Sequence, residues 1–152
     1  MLINGYDKVF LSALDEIAWM LNVRGSDIDY NPLVISYLLV SQDYVKWFVK
    51  KADAVSDLDP DTEDSFNELK MDGVEVEDYD AVFFALSDFG GDDSSGRIFV
   101  DPSTLNSHIH KYISDCFPSE SLCCGTSPVI LEKAVKTPSE IEGLRQTYVD
   151  DG

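Results

Sequence analysis

Basic residues are scarce in this chain: lysine and arginine number 11 in 152 residues, against 29 aspartates and glutamates, for a formal net charge of −18. Such a field repels phosphate backbones, and no basic stripe offsets it, so nucleic acid and anionic membrane are poor partners. Long apolar runs are missing too. The longest, Pro32 to Val40 (PLVISYLLV), is interrupted by Ser36 and falls well short of the roughly 20 residues that cross a bilayer, so it reads as a buried strand. The opening MLINGYDKVF has neither a basic nor an apolar leader region, and no secretion signal is visible. Cysteine is limited to Cys116, Cys123 and Cys124, which lack metal-ligand spacing and cannot all pair. Reduced thiols and a cytoplasmic location follow as the simplest expectation.

What is present is enough for a core. Hydrophobic residues make up 44% and aromatics 11%, the profile of a globular protein despite the charge. A chain of this length is expected to form one domain and to bury roughly 68 to 70% of its unfolded surface. The charge is unevenly spread. Between Asp53 and Asp93 there are 15 acidic residues and one basic residue, Lys70.

Along the chain, Val9 to Leu11 predicts a strand. Ser12 is a candidate N-cap for a following helix, with Asp15 as the partner carboxylate of a capping-box-like start. Asp15 and Glu16 then occupy a first turn, where the helix dipole favours negative charge. Leu14, Ile17, Ala18 and Leu21 share one helical face, and Arg24 and Gly25 supply a closing cation and a C′ glycine. Leu33 to Val40 and Tyr44 to Val49 read as a hairpin across SQD. Two helices follow, in PDTEDSFNELKM and in DYDAVFFALSDF, the second with Ala81, Phe84, Ala85 and Phe89 at helical spacing. Val74 to Val76 is a short strand between them, and GGDDSSG reads as a mobile surface loop. Arg97 to Val100 resumes a strand, and Asp101 is a candidate cap for a helix with Pro102 at its first position that runs to about Cys116. Pro128 to Leu131 reads as a last strand, and Thr137 and Pro138 open a final helix. Strands alternating with helices predict an α/β fold, a mixed central β-sheet flanked by helices.

No constellation makes a convincing active site. Asp57, Asp59, Asp61 and Glu68 match positions 1, 3, 5 and 12 of a calcium-binding EF-hand loop. The position that needs a glycine for the sharp turn holds β-branched Thr62, and Pro60 stiffens the segment, so a solvated acidic helix start is the better reading. His108 and His110 would point about 200° apart on a helix and cannot grip one metal together. Nothing places Cys116, Cys123 or Cys124 beside a histidine as a nucleophile pair. Asp15 and Glu16 diverge by about 100° on a helix, which makes them a poor acid–base pair. Arg24 could bind a carboxylate, but closing a helix explains it equally well, and there is no glycine-rich phosphate loop. No residue is therefore assigned a catalytic, cofactor-binding or metal-binding role.

The stretch ALDEIAWMLNVRGSDIDYNPLVISYLLV (Ala13 to Val40) closely resembles the second domain of three-domain Xaa-Pro aminopeptidases, the aminopeptidase P family, which carry a recurring ALDEIAWLLNLRGSD followed by NP and an apolar strand. CCGTSPVILEKAVKTPSEIEGLR (Cys123 to Arg145) resembles the family's link into its catalytic domain. From Asp43 to Gly96 the likeness is one of element order only. The resemblance implies a creatinase/prolidase-like N-terminal domain over residues 1–136 and a linker helix over 137–152. It implies a parent metallopeptidase that removes the residue before proline, with two divalent metal ions, usually manganese, in a catalytic domain absent from this chain. The chain alone is then expected to be inactive, with partners in its own catalytic domain and first N-terminal domain and in a homodimer of the parent. The family normally sets an amphipathic helix before the first strand, where only MLINGYD stands here, so an apolar face is expected to lie uncovered. The related prolidase and creatinase branch shares the fold but does not normally carry ALDEIAW in this form. The competing reading is a free-standing acidic module that uses Asp53 to Asp93 to bind a basic partner; it would bind tightly at low salt and release steeply as salt rises.

Overall fold

The computed structural model describes residues 5–50, 67–90 and 96–151. Its frame is a six-stranded mixed sheet built from β1 (Lys8–Leu11), β2 (Ser36–Val40), β3 (Val45–Val49), β4 (Val74–Asp78), β5 (Ile98–Val100) and β6 (Leu122–Cys124), in the spatial order β4-β3-β2-β1-β5-β6. Strand β1 runs antiparallel to β2 and parallel to β5, and β6 lies parallel to β5 at the edge. The expected hairpin is β2–β3, antiparallel and in register from Ser36 opposite Val49 to Val40 opposite Val45. Its turn is closed by Ser41, whose N–H donates to Tyr44 O at 2.9 Å and whose Oγ accepts from the N–H groups of Asp43 and Tyr44. The other edge, β4, pairs parallel with β3 and presents exposed Glu75 and Asp78, charges that discourage edge-to-edge association.

Both faces of the sheet are covered, which explains why its central strands read as continuous apolar runs rather than alternating ones. All five residues of β2 are buried. Val9, Leu11, Leu38, Val40, Trp47 and Phe99 point to one face, with Ile17 of α1 (Leu14–Leu21), Val129 of α4 (Val129–Ala134) and Leu69 of the helical residues 67–71. Phe10, Tyr37, Leu39, Phe48, Ile98 and Val100 point to the other, under α2 (Ala81–Gly90) and α3 (Ser107–Cys116). Phe10 is 1% exposed, and burial of such a side chain stabilises the fold by about 1.5–3 kcal/mol. The last helix, α5 (Pro138–Asp151), is exposed along nearly its whole length.

Several local expectations change. Ser12 does not cap α1: the N-cap is Ala13 with no side-chain bond, because the Ser12 hydroxyl pairs with Thr104 Oγ1 at 3.0 Å. Helix α1 ends at Asn22, in the left-handed region at φ 51°, rather than at Gly25. Gly25 answers a different need, since a Cβ there would lie 2.4 Å from Val34 Cγ2. Asp101 does not cap α3 either. Residues 102–104 form a turn, and Asn106 is the cap, its side chain accepting from Ile109 N at 2.9 Å. In α2 the inward face is Val82, Ala85 and Leu86, while Phe84 is 77% exposed. Pro128 to Leu131 is not a strand. Ser127 starts a turn there, accepting from Ile130 N through its carbonyl and from Val129 N through its hydroxyl, and α4 follows. The final helix starts as expected, in a full capping box: Thr137 N donates to Glu140 Oε2 at 2.7 Å and Glu140 N to Thr137 Oγ1 at 3.2 Å. The first part of the helix expected in PDTEDSFNELKM, residues 60–66, and most of the GGDDSSG stretch lie outside the described residues.

Candidate functional site at the α1–α4 junction

Polar chemistry is buried at one place, where α1 meets the connection from β6 to α4. Apart from Ser36 of β2, the buried polar or charged residues among those described are Glu16, Asp101 and Ser127, and these three converge. The Ser127 hydroxyl donates to Glu16 Oε2 at 2.5 Å, and Ser127 N donates to Asp101 Oδ2 at 2.9 Å. The other Asp101 oxygen accepts from Ser103 N at 2.9 Å and from Ser103 Oγ at 2.6 Å. Two carboxylates thus share one serine, one through its hydroxyl and one through its backbone.

Their environments push them apart. Burial lifts the Glu16 carboxyl above its ordinary value; the Ser127 bond opposes that rise, and the nearby charges of Asp15 and Asp101 add to it. Asp101 is held below its ordinary value, chiefly by the Ser103 hydroxyl and further by the two backbone N–H groups, against the effect of burial. Asp15 points the other way on α1, as expected of adjacent helical residues, and pairs with Lys133 Nζ at 2.5 Å. That contact lowers its pKa.

Ser127 is 2% exposed, its oxygen is engaged by Glu16 and by Val129 N, and the residue borders a cavity of about 540 Å³ that Tyr6, Phe99 and Leu131 also line. It acts as a fastener between α1, the end of β5 and the start of α4. Beside it, a groove of about 340 Å³ lies over β1 and the end of β2, between Trp19 and Met20 of α1 and Val129 and Glu132 of α4. Its floor is Val9, Leu11 and Val40, an apolar stretch of sheet whose three side chains are all buried.

The residues singled out from sequence stay apart from this cluster or serve structure. Arg24 closes α1, its Nη1 donating to Ala18 O at 3.2 Å and Val23 O at 2.8 Å. His108 and His110 are exposed on α3, with the His108 ring 5.0 Å from that of Phe83. Cys116, Cys123 and Cys124 are free thiols. Asp57, Asp59 and Asp61 lie outside the described residues, among which no three His, Cys, Asp or Glu side chains are placed to hold a metal ion. Nor is any helix among them long and apolar enough to cross a membrane. The buried roles of Glu16 and Ser127 escaped the sequence reading; the one local signal was the Thr-Ser-Pro run, a turn composition suited to a serine that bonds its own backbone.

The fold, a mixed sheet with flanking helices, is shared with known proteins. The model of the creatinase/prolidase N-terminal domain matches residues 1–140. The chain belongs to this family. This creatinase/prolidase N-terminal domain is 34% identical over 145 residues to Xaa-Pro aminopeptidase 1 of Dictyostelium discoideum, covering 95% of the chain and 21% of that protein. It is 37% identical over 151 residues to a probable Xaa-Pro aminopeptidase P of Chaetomium globosum, covering 93% of the chain and 22% of that protein. Among solved structures, the X-prolyl aminopeptidase of Caenorhabditis elegans, a cytosolic enzyme with a di-nuclear active site, superposes with a TM-score of 0.79 at 28% identity, over 95% of this chain and 22% of that one. An Xaa-Pro aminopeptidase from Streptococcus thermophilus, at 10% identity and a TM-score of 0.59, shares the fold. The chain spans about a fifth of the length of the curated relatives, and what it matches in them is their N-terminal domain.

Proposed function

We propose that this chain is a non-catalytic domain of a metal-dependent Xaa-Pro aminopeptidase, residues 1–136 forming the domain body and 137–152 a linker helix towards the catalytic domain. The observation that carries this reading is the match of nearly the whole chain to about a fifth of such enzymes. On this reading the two divalent ions, manganese on the family pattern, sit in the catalytic domain of the parent; among the described residues no three His, Cys, Asp or Glu side chains are grouped to hold a metal ion. Its task is to pack on that domain and on the first N-terminal domain, to restrict access to the metal site in favour of short peptides with proline second, and to help organise a homodimer. A cytoplasmic location is supported by the cytosolic relative from Caenorhabditis elegans and by the three free cysteines.

The test is to incubate the purified chain with an Xaa-Pro-containing tripeptide and Mn²⁺, beside an intact aminopeptidase P as positive control. No release of the first residue is expected. Turnover that survives repurification and tracks with the chain would overturn the assignment.

A further inference from the structure

We propose that α1 is a clamp that fixes the path of the chain out of the sheet, with Asp15 and Glu16 as its two positioning residues and Lys133 and Ser127 as the points they hold. The proposal rests on contacts inside this chain and stands independently of the peptidase reading.

Helix α4 has six residues, too few to persist by itself in water. Only Val129 of it is buried, so apolar packing ties down its first turn and little else. Its two ends are held by one element. Glu16 takes the Ser127 hydroxyl just before the helix begins, and Asp15 takes Lys133 in its last turn. Because adjacent side chains on α1 diverge by about 100°, the two carboxylates reach points six residues apart on the same segment, which fixes the direction of α4 as well as its position. Helix α5 follows directly, opened by the capping box of Thr137 and Glu140. Since α5 buries almost nothing, its direction is inherited from α4 and this cap. Ile141, Leu144 and Tyr148, three exposed apolar residues spaced along one face of α5, are thereby presented at a set angle to the sheet.

Backbone amide exchange and residual dipolar couplings on the ¹⁵N-labelled chain test this. In the wild type, couplings from α5 are expected to fit the same alignment tensor as those from β1, β2 and β3. Glu16→Ala is expected to speed exchange in α4 by about tenfold relative to β2 and β3, the loss of roughly one buried hydrogen bond, while Glu16→Gln, which can still accept from Ser127, stays close to wild type. Lys133→Met breaks only the surface contact and keeps the fold testable if Glu16→Ala does not fold; it is expected to shrink the α5 couplings while leaving those of the sheet unchanged. Equal acceleration of α4 and the sheet in Glu16→Ala, or unchanged α5 couplings in Lys133→Met, would overturn the clamp.

Discussion

Asp101 shows how much a single carboxylate can hold when three donors converge on its two oxygens. It accepts from two backbone N–H groups and a hydroxyl, and it is 6% exposed. Asp101→Asn keeps the shape but turns one acceptor into a donor facing another donor, which is expected to cost about 1–3 kcal/mol at pH 7. Urea unfolding measures that difference. The sign of its pH dependence follows from the lowered pKa: a carboxyl held below its unfolded value contributes stability that is complete above that value, near 4, and lost as pH falls through the folded one. The gap between Asp101→Asn and wild type should therefore close on acidification below about pH 4. Glu16 has the opposite sign. Its pKa is raised, so the native state holds the extra proton between the unfolded and the folded values, and this group favours folding more as pH falls through that window. A gap for Asp101→Asn that stays constant down to about pH 3 would mean that the charge is not what stabilises the site.

At the scale of elements, the sequence was most legible where the determinants are local. The Thr137–Glu140 capping box, the turn at Ser41 and the apolar face of α1 are each written within a few residues, and each forms. Reading failed where a distant partner decides. Ser12 is a good cap by composition, yet its hydroxyl is taken by Thr104, 92 residues away. Glu16 is a reasonable solvated first-turn acid until Ser127, 111 residues away, covers it. Pro128 to Leu131 is a short apolar run of the kind that periodicity cannot assign to strand or helix, and the Ser127 turn settles it. Asp101 is a good cap by composition, but its carboxylate is taken by Ser103 and Ser127; the helix starts later, capped by Asn106, which also donates through Nδ2 to Tyr37 OH at 2.8 Å. Asn106→Ala removes the cap and the bond to β2 together. It should destabilise the chain by about 1–2 kcal/mol in urea, more than a cap alone, with α3 amides exchanging before those of β2. A loss under about 0.5 kcal/mol would show that water replaces both contacts.

For the whole molecule the strongest influence beyond the core is the charge of −18. Ion pairs do little against it. The three among the described residues, Lys46–Glu75, Lys133–Asp15 and Arg145–Glu142, all involve at least partly exposed side chains, and such pairs contribute at most about 1 kcal/mol each. Fifteen acidic residues fall between Asp53 and Asp93, and three of those positions, Glu75, Glu77 and Asp78, stand on the edge strand β4. Repulsion among them acts on the compact state over distances that salt screens: the Debye length falls from about 30 Å at 0.01 M to about 10 Å at 0.1 M. Salt weakens attraction and repulsion alike, so the sign of its effect reports which prevails. Here repulsion outnumbers pairing, and raising NaCl from about 0.01 M to 0.15 M should raise the thermal midpoint by a few degrees, the shift that about 1 kcal/mol produces in a domain of this size. Differential scanning calorimetry at fixed pH measures it. A midpoint that falls with salt would mean that the few pairs, Lys133–Asp15 foremost, outweigh the acidic surface, and that the junction of α1 and α4 is the electrostatic anchor of the whole domain.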